Sequence, residues 1–307
     1  MRILIVGAGA VGGYFGGKLL QAGRDVTFLV RPGRAAALNE TGLNVKSPLG
    51  DVALGVPPML QTHELNSPFD LIMLSCKAYD LDAAIEGFAP GVGPQTAILP
   101  LLNGMRHLSV LQDRFGADAV LGGQCVISST LDDVGTIVHL NTMNQITFGE
   151  LDGSSTPRME AITSALGDAG FGVRASSRIL LEMWEKWSVL ACLAGSTCLM
   201  RASVGQINAS PGGTDFVLSL IEEVRRIAHA AGHEPRPKAQ ESTRALLTKQ
   251  GSDMTASMFR DMENGSRIEA DQIIGDLLVR ADAAGLDSPL LRVIYCHLKA
   301  YEARHGY

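Results

Sequence analysis

Three glycines near the start of the chain have the spacing of a turn that binds phosphate groups. Gly7, Gly9 and Gly12 form a G-x-G-x-x-G motif directly after the apolar, β-branched run of residues 2–6. The positions between the glycines are Ala8, Ala10 and Val11. In such a motif the first glycine permits a tight turn, the second lets a pyrophosphate approach, and the third lets the next helix pack on the strand. The motif predicts a dinucleotide site at a helix N-terminus, and the alternative is a glycine-rich turn without a ligand.

Arg31 follows the second predicted strand, residues 25–30, at the position where a dinucleotide-binding unit selects its cofactor. An NAD-binding unit carries Asp or Glu there to hold the ribose 2′-hydroxyl. A guanidinium suits a 2′-phosphate instead, because it can grip the phosphate with two hydrogen bonds. We therefore predict NADP(H) as the cofactor. The alternative is that Arg31 is an ordinary surface arginine.

The elements that must position these residues alternate between strand and helix along the N-terminal half of the chain. This alternation predicts an α/β fold with a doubly wound, Rossmann-type sheet and an antiparallel addition. Buried strands at residues 69–74 and 96–101 are followed by Lys77 and Asn103. Ligands bind outside the carboxyl ends of the strands in such sheets, so both side chains are expected at the same edge as the arginine. Alternatively, Lys77 is a solvated residue at a helix start and Asn103 forms a turn.

The rest of this half is predicted to extend the sheet. Residues 119–126 are expected to form a further strand, and residues 136–139 and 145–148 a hairpin pair. A helix at residues 158–169 is then expected to lead into a last edge strand at residues 172–174.

The pattern changes near residue 176, where strands give way to helical periodicity. The predicted helices are residues 179–200, 215–231, 238–247, 253–263, 268–284 and 289–303. We therefore predict two domains, a Rossmann-type NADP-binding domain at residues 1–175 and an all-helical substrate domain at residues 176–307. A cleft between two such domains is the expected active site.

The helical domain offers several polar candidates beside apolar positions. Lys186 sits where the first long helix stops being polar, and a lysine that is half-buried there needs a partner. Glu182, four residues earlier, could supply an ordinary i,i+4 pair, which is the structural alternative. Ser257 lies beside a predicted methionine face, and Glu269 opens a predicted helix, where the dipole favours a carboxylate in any case. The methionines of that face, expected in the core, are Met254, Met258 and Met262.

Composition narrows the class of protein. The chain has 307 residues, of which 46% are hydrophobic and 19% charged, with a formal net charge of -6. This balance favours a soluble globular protein and gives no reason to expect nucleic acid or a membrane surface as partner. The five cysteines form no C-x-x-C motif and the histidines no metal-ligand spacing, so free thiols and no metal are expected. Because the first core strand begins at the N-terminus, we expect no signal peptide and a cytoplasmic location.

Taken together and in order, these motifs resemble the ketopantoate reductase (2-dehydropantoate 2-reductase) family over essentially the whole chain. The matching segments are residues 7–12, Lys77-Ala78, Asn103-Gly104-Met105, Trp184-Glu185-Lys186, Ser257-Met258 with Asp261, and Glu269-Ala270-Asp271. Each segment alone is a weak signal, and their order and spacing make the resemblance specific.

The resemblance implies an NADPH-dependent reduction of a 2-oxo acid to a 2-hydroxy acid. It makes Lys186 the general acid, whose ammonium binds the ketone oxygen and protonates the developing alkoxide. Glu269 is implied to orient the lysine and the substrate, and Asn103 to line the site near the nicotinamide ribose and the substrate. The remaining implied contacts are Lys77 and Ser128 for the cofactor and Ser257 for the substrate.

The chain departs from the family pattern where substrate specificity is decided. Members that act on ketopantoate carry asparagines after the catalytic lysine, and this chain has Leu190 and Ala194 at those positions. A further family asparagine is replaced by Val204. Loss of hydrogen-bonding groups from a buried polar site strongly changes how well an enzyme discriminates between substrates. The resemblance therefore implies reductase chemistry with a shifted, more apolar 2-oxo acid substrate.

Several alternatives stay open at the level of sequence. One is a true ketopantoate reductase of pantothenate biosynthesis, which forms pantoate through substitute contacts. Another is a two-domain Rossmann dehydrogenase of the opine or glycerol-phosphate type. A third is a non-catalytic NADP-binding sensor or interaction protein, for which neither Lys186 nor Glu269 would be needed. A homodimer is plausible, although no residue argues for it.

Overall fold

The computed structural model describes residues 1–307, which divide into two units. The sheet unit comprises Met1–Leu102 and His107–Ile179. The helical unit comprises Leu180–Tyr307 together with the short segment Asn103–Arg106. That segment lies far from the rest of the helical unit in sequence, so its assignment depends on tertiary contacts.

The sheet unit contains all strands of the protein and five α-helices. The strands are β1 (Ile3–Val6), β2 (Val26–Leu29), β3 (Leu43–Lys46), β4 (Val52–Leu54), β5 (Met59–Leu60), β6 (Leu71–Leu74), β7 (Ala97–Pro100), β8 (Gly122–Leu131), β9 (Ile137–Gly149) and β10 (Gly172–Ala175). The helices that begin before residue 176 are α1 (Ala10–Gln21), α2 (Pro32–Thr41), α3 (Leu81–Phe88), α4 (Arg106–Phe115) and α5 (Pro157–Leu166).

A parallel five-stranded sheet forms the centre of this unit, in the order β5-β2-β1-β6-β7. Every residue of β1, β6 and β7 is buried, which explains why these strands read as continuous apolar runs rather than alternating ones. Crossovers through helices connect them, so the carboxyl ends of all five strands lie at one edge. The predicted fold class, a Rossmann-type sheet followed by a helical domain, is confirmed.

The remaining strands form a second sheet and do not extend the first. Its order is β10-β9-β3-β4, and β8 pairs with β9 in antiparallel register. The hairpin predicted for residues 136–139 and 145–148 is wrong, because both segments belong to β9 and both pair with β8. The polar residues between them lie on an exposed stretch of one long strand, where they imitate a turn signal in sequence.

Helix α1 packs between the two sheets, and its glycines explain how. A Cβ atom on Gly16 would lie 2.4 Å from Phe28 Cζ and 2.6 Å from Ile5 Cδ1, both in the central sheet. A Cβ atom on Gly13 would lie 2.4 Å from Ile137 Cδ1 in the second sheet. Because glycine presents only hydrogen on these faces, the helix backbone can approach both sheets closely.

The helical unit is built from seven helices. They are α6 (Ile179–Met200), α7 (Val204–Ala209), α8 (Gly213–Ala230), α9 (Pro237–Leu247), α10 (Ser257–Glu263), α11 (Asp276–Ala283) and α12 (Pro289–His305). Helix α6 has the predicted bounds, whereas the short α7 was not predicted. None of the helices combines the length and the apolar character that crossing a bilayer requires.

Two predicted helices of this unit have different starts in the structure. The helix predicted from residue 253 begins only at Ser257, so Met254 precedes it and is exposed, while Met258 and Met262 are buried as predicted. The helix predicted from residue 268 contains a π-helical turn, Asp271–Gly275, before α11. Such turns are frequent at functional sites and leave no clear mark on hydrophobic periodicity.

We expect Gly16→Ala to destabilise the protein by about 1–3 kcal/mol, because the added methyl group overpacks α1 against Phe28 and Ile5. Equilibrium unfolding in urea measures this change. Gly33→Ala is the matched control, because a Cβ atom there meets no atom within 4 Å. Equal stability of the two variants would contradict the packing role of Gly16.

Candidate functional site

The glycine motif spans the loop between β1 and α1 and the first turn of α1. Gly7 has a φ of 95°, a left-handed conformation that favours glycine. A Cβ atom on Gly12 would lie 2.2 Å from the Gly7 carbonyl oxygen and 2.2 Å from Ser75 Oγ. The Ser75 hydroxyl lies within hydrogen-bond distance of the carbonyl oxygens of Val6, at 3.0 Å, and Gly7, at 3.2 Å. Gly7 and Gly12 are therefore required by the protein's own packing.

Gly9 differs from these two glycines because nothing in the protein demands it. Its φ of -83° and ψ of -164° are open to any residue, and a Cβ atom there would meet no atom within 4 Å. Gly9 occupies the N-cap of α1, where the first amides of the helix have no partner within the helix. Open space at this N-cap suits the pyrophosphate of a dinucleotide, which needs close approach to the backbone.

Two side chains hold the carbonyl groups of this loop. The Arg34 guanidinium donates to the Ala8 carbonyl at 2.8 Å through Nε and to the Gly135 carbonyl at 3.1 Å through Nη1. The Ser129 hydroxyl donates to the Ala10 carbonyl at 3.1 Å. Neither Arg34 nor Ser129 is predictable from the sequence, because both act through tertiary contacts with backbone atoms and belong to no motif.

Ser128, the predicted cofactor contact, lies beside Ser129 at an irregularity in the pairing of β8 with β9. It is half-buried. A bulge re-aims side chains locally, which is why an assignment to Ser128 or to Ser129 depends on backbone geometry that the sequence does not reveal. Its contact with a cofactor stays a prediction.

Arg31 lies after β2 at the N-cap of α2 and carries an unpredicted partner. Its Nη2 lies 2.8 Å from Oδ1 of Asp80, and the side chains of Arg31 and Asp80 are 66% and 29% exposed. The hydrogen bond with Asp80 raises the pKa of the Arg31 guanidinium, so the side chain stays charged. Arg31 is therefore placed at the carboxyl end of β2 as predicted, with a carboxylate against it.

Lys77 lies at the corresponding end of β6. It precedes a one-turn helix, Ala78–Asp80, and its side chain is half-buried. The carboxyl ends of β2 and β6 flank the loop that follows β1, because β1 lies between these strands. The structure thus places Arg31, Lys77 and the glycine loop at the same edge of the sheet.

Lys186 lies in the helical unit and contacts Asn103, a pairing that the sequence did not predict. Lys186 Nζ donates to Asn103 Oδ1 at 2.9 Å. The backbone carbonyl of Asn103 accepts from Gln272 Nε2 at 2.8 Å. Gly104, with a φ of 78°, leaves room for the backbone of Gln272, since a Cβ atom there would lie 2.8 Å from the Gln272 carbonyl oxygen. Asn103 is thus held at its backbone while its side chain orients the lysine.

Buried tryptophans fix the helix around Lys186. Trp184 and Trp187 are each 1% exposed, and Trp187 Nε1 donates to the Ile273 carbonyl at 3.0 Å. That carbonyl belongs to the π-helical turn that also supplies Gln272. The turn therefore anchors both the helix that carries Lys186 and the asparagine that the lysine contacts.

The other predicted residues of this unit lie at helix starts. Glu269 is half-buried and precedes the π-helical turn, where its carbonyl accepts from the Ile273 amide at 3.0 Å. Ser257 is exposed at the first position of α10, next to Ala256, whose amide donates to Thr197 Oγ1 at 3.4 Å. The roles of Glu269 and Ser257 beside the lysine stay predictions.

The face of α6 that follows Lys186 is apolar. Leu190 and Ala194 lie four and eight residues further on and share that face, and Ala194 is only 4% exposed. Val204, at the first position of α7, is 1% exposed. No group of three or more His, Cys, Asp or Glu side chains lies close enough to hold a metal ion.

Comparison with known proteins agrees with this architecture of a Rossmann-type domain joined to a helical domain. The family model "Ketopantoate reductase PanE/ApbA" matches residues 3–153, and "Ketopantoate reductase PanE/ApbA C terminal" matches residues 178–302. The chain belongs to the ketopantoate reductase family PanE/ApbA, a family of oxidoreductases. The predicted family is confirmed.

Individual relatives cover the full length. The chain is 37% identical over 303 residues to the Bacillus subtilis protein described as uncharacterized oxidoreductase YkpB, covering 99% of each. The crystal structure of 2-dehydropantoate 2-reductase from Geobacter metallireducens is 28% identical, with a TM-score of 0.88 and coverage of 98% of this chain and 99% of that one. D-mandelate dehydrogenase with NADH and anilino(oxo)acetate shares the fold, with a TM-score of 0.89 at 20% identity and full coverage of both chains.

We expect Gly9→Val to fold with unchanged stability but to bind a nicotinamide dinucleotide at least about 10-fold more weakly, because its side chain fills the space in front of the helix amides. Titrations with NADH and NADPH measure the affinity, and thermal unfolding measures the stability. Gly12→Val is the contrasting variant, which should lose stability because its Cβ atom overlaps the Gly7 carbonyl. Undiminished binding by the Gly9 variant would contradict a phosphate site at this loop.

Proposed function

We propose that this protein catalyses the NADPH-dependent reduction of a 2-oxo acid to a 2-hydroxy acid. The observation that carries the proposal is the hydrogen bond from Lys186 to Asn103, which orients an ammonium on a helix anchored by two buried tryptophans. Membership of the ketopantoate reductase family supports the reaction class. The open glycine loop and Arg31 support a phosphorylated dinucleotide as cofactor.

A bound nicotinamide would supply the hydride that reduces the ketone carbon. The part of Lys186 is to donate a hydrogen bond to the ketone oxygen and to pass a proton to the alkoxide that develops there. Its positive charge also stabilises the forming oxyanion. Asn103 accepts from Nζ and thereby directs the ammonium, which costs less reorganisation at the moment of reaction than a mobile lysine would.

Glu269 and Ser257 complete the proposed site. A carboxylate at Glu269 would orient the ammonium and the substrate, and the hydroxyl of Ser257 would bind the substrate. Both residues lie at helix starts in the helical unit, where short polar segments interrupt buried helices. Their roles rest on the family motifs.

For the substrate, we propose a 2-oxo acid with a more apolar side chain than ketopantoate. The support is the replacement of family asparagines by Leu190, Ala194 and Val204, two of which are on the face of α6 that carries Lys186. An apolar face favours an apolar substituent and leaves the substrate's hydroxyl without a partner. Ketopantoate itself is the alternative, supported by relatives named 2-dehydropantoate 2-reductase.

A substrate panel distinguishes these two. Purified protein is supplied with NADPH, and its oxidation is followed with ketopantoate and with 2-oxo acids that carry progressively larger apolar side chains. We expect a higher kcat/KM for the apolar acids. A higher kcat/KM for ketopantoate would favour a ketopantoate reductase of pantothenate biosynthesis. Tight binding of NADPH without turnover of any acid would favour a non-catalytic sensor.

Lys186→Ala is expected to lower kcat by at least about 100-fold on the best substrate, because a general acid contributes about that factor or more. The affinity for NADPH should stay unchanged. Lys249→Ala, at an exposed position of the same unit, is the matched control and should keep full activity. Retained turnover in the Lys186 variant would remove this lysine from the mechanism.

Arg31→Asp is expected to lower the affinity for NADPH by about 100-fold and to change the affinity for NADH little. The reason is that a carboxylate repels the 2′-phosphate that the guanidinium would bind. Fluorescence titration with each nucleotide measures both constants. Arg178→Asp makes the same change of charge at an exposed site of the sheet unit and serves as the control. The assignment of Arg31 to the 2′-phosphate fails if the variant loses affinity for NADH and NADPH equally.

A further inference from the structure

The ion pair between Arg31 and Asp80 lies where a dinucleotide-binding unit reads the adenosine ribose. Arg31 follows β2, and Asp80 ends the one-turn helix after β6, so the two residues come from the strands on either side of β1. A distance of 2.8 Å joins Arg31 Nη2 and Asp80 Oδ1. The carboxylate that is missing at the end of β2 is therefore supplied there from another strand.

Asp80 does not cap the helix that it precedes. It occupies the N-cap of α3, a position at which aspartate commonly accepts from the helix amides. Its side chain makes no such capping hydrogen bond and lies against Arg31 instead. The first turn of α3 keeps another carboxylate, Asp82, which satisfies the preference of the helix dipole.

The two side chains of this pair suit opposite cofactors. NADPH and NADH differ only at the adenosine ribose, which carries a 2′-phosphate in one and a 2′-hydroxyl in the other. A guanidinium binds the phosphate, whereas a carboxylate accepts a hydrogen bond from the hydroxyl and repels the phosphate. A site with both groups therefore holds a partner for each nucleotide.

We propose that Asp80 is a specificity-determining residue. It reduces the difference in affinity between NADPH and NADH, so that the chain can use NADH as well. With NADPH, the 2′-phosphate takes Arg31 from Asp80 and meets the charge of the carboxylate. With NADH, Arg31 keeps its pairing and Asp80 accepts from the 2′-hydroxyl. This inference rests on the proposed function only in requiring that the glycine loop binds a nicotinamide dinucleotide.

The exposure of the pair makes such an exchange of partners inexpensive. The Arg31 side chain is 66% exposed, and an ion pair with that much solvent contributes little to stability. Arg31 can therefore leave Asp80 for a doubly charged phosphate, while the repulsion between that phosphate and the carboxylate persists. The net effect is a smaller difference in affinity between the two cofactors, and neither cofactor is excluded.

Asp80→Asn tests the proposal in the full chain, with equilibrium titration of NADPH and NADH by calorimetry. Removing the carboxylate charge is expected to tighten the binding of NADPH by about 10-fold and to weaken the binding of NADH severalfold. Asp82→Asn makes the same change of net charge on the exposed side of α3 and should leave the ratio of the two dissociation constants within about twofold. Asp80→Ser, which retains a residue suited to an N-cap, should reproduce the shift if the asparagine variant folds poorly.

The outcomes separate this inference from the proposed function. An unchanged ratio in both Asp80 variants overturns the inference, and so does weaker NADPH binding, which would mean that Asp80 merely positions Arg31. In either case wild-type binding of NADPH leaves the proposed function standing. Wild-type protein that binds neither nucleotide would overturn both.

Discussion

The close approach of α1 to two sheets is the constraint on which the sheet unit depends. Gly12, Gly13 and Gly16 face neighbours so near that a single methyl group on any of them would overlap an atom. This packing fixes the N-terminus of the helix above the end of β1, and with it the loop in which a Cβ atom on Gly9 would meet no atom within 4 Å. One set of glycines thus serves packing, whereas no close contact within the protein accounts for Gly9, where we propose a phosphate site.

A second constraint organises the helical unit around a polar group on an apolar helix. Lys186 is tolerated there because Asn103 accepts its hydrogen bond, and Asn103 is itself held by Gln272. The π-helical turn carrying Gln272 also accepts from Trp187, so the lysine, its partner and the helix share one support. A half-buried cation is stabilised by such a network, because an unsatisfied polar group away from water is costly.

The sequence predicted those parts of the fold that local pattern encodes. The buried strands and the long helix α6 follow from apolar runs and periodicity, and the motifs identified the family. The second sheet did not follow, because a polar stretch inside β9 resembles a turn and only the pairing with β8 reveals one strand. The start of α10 was also misplaced, since Met254 continues the helical period without joining the helix.

What the sequence determined by itself is the set of residue types at short spacing: the glycine motif, Arg31 after β2, and Lys186 at the edge of an apolar helix. Tertiary structure alone decided which groups those residues meet. Asp80 against Arg31, Arg34 on the Ala8 carbonyl and Asn103 beside Lys186 each join segments far apart in the chain. The physical reason is that hydrogen bonds and ion pairs depend on distances of a few ångströms, which folding sets and local sequence patterns do not record.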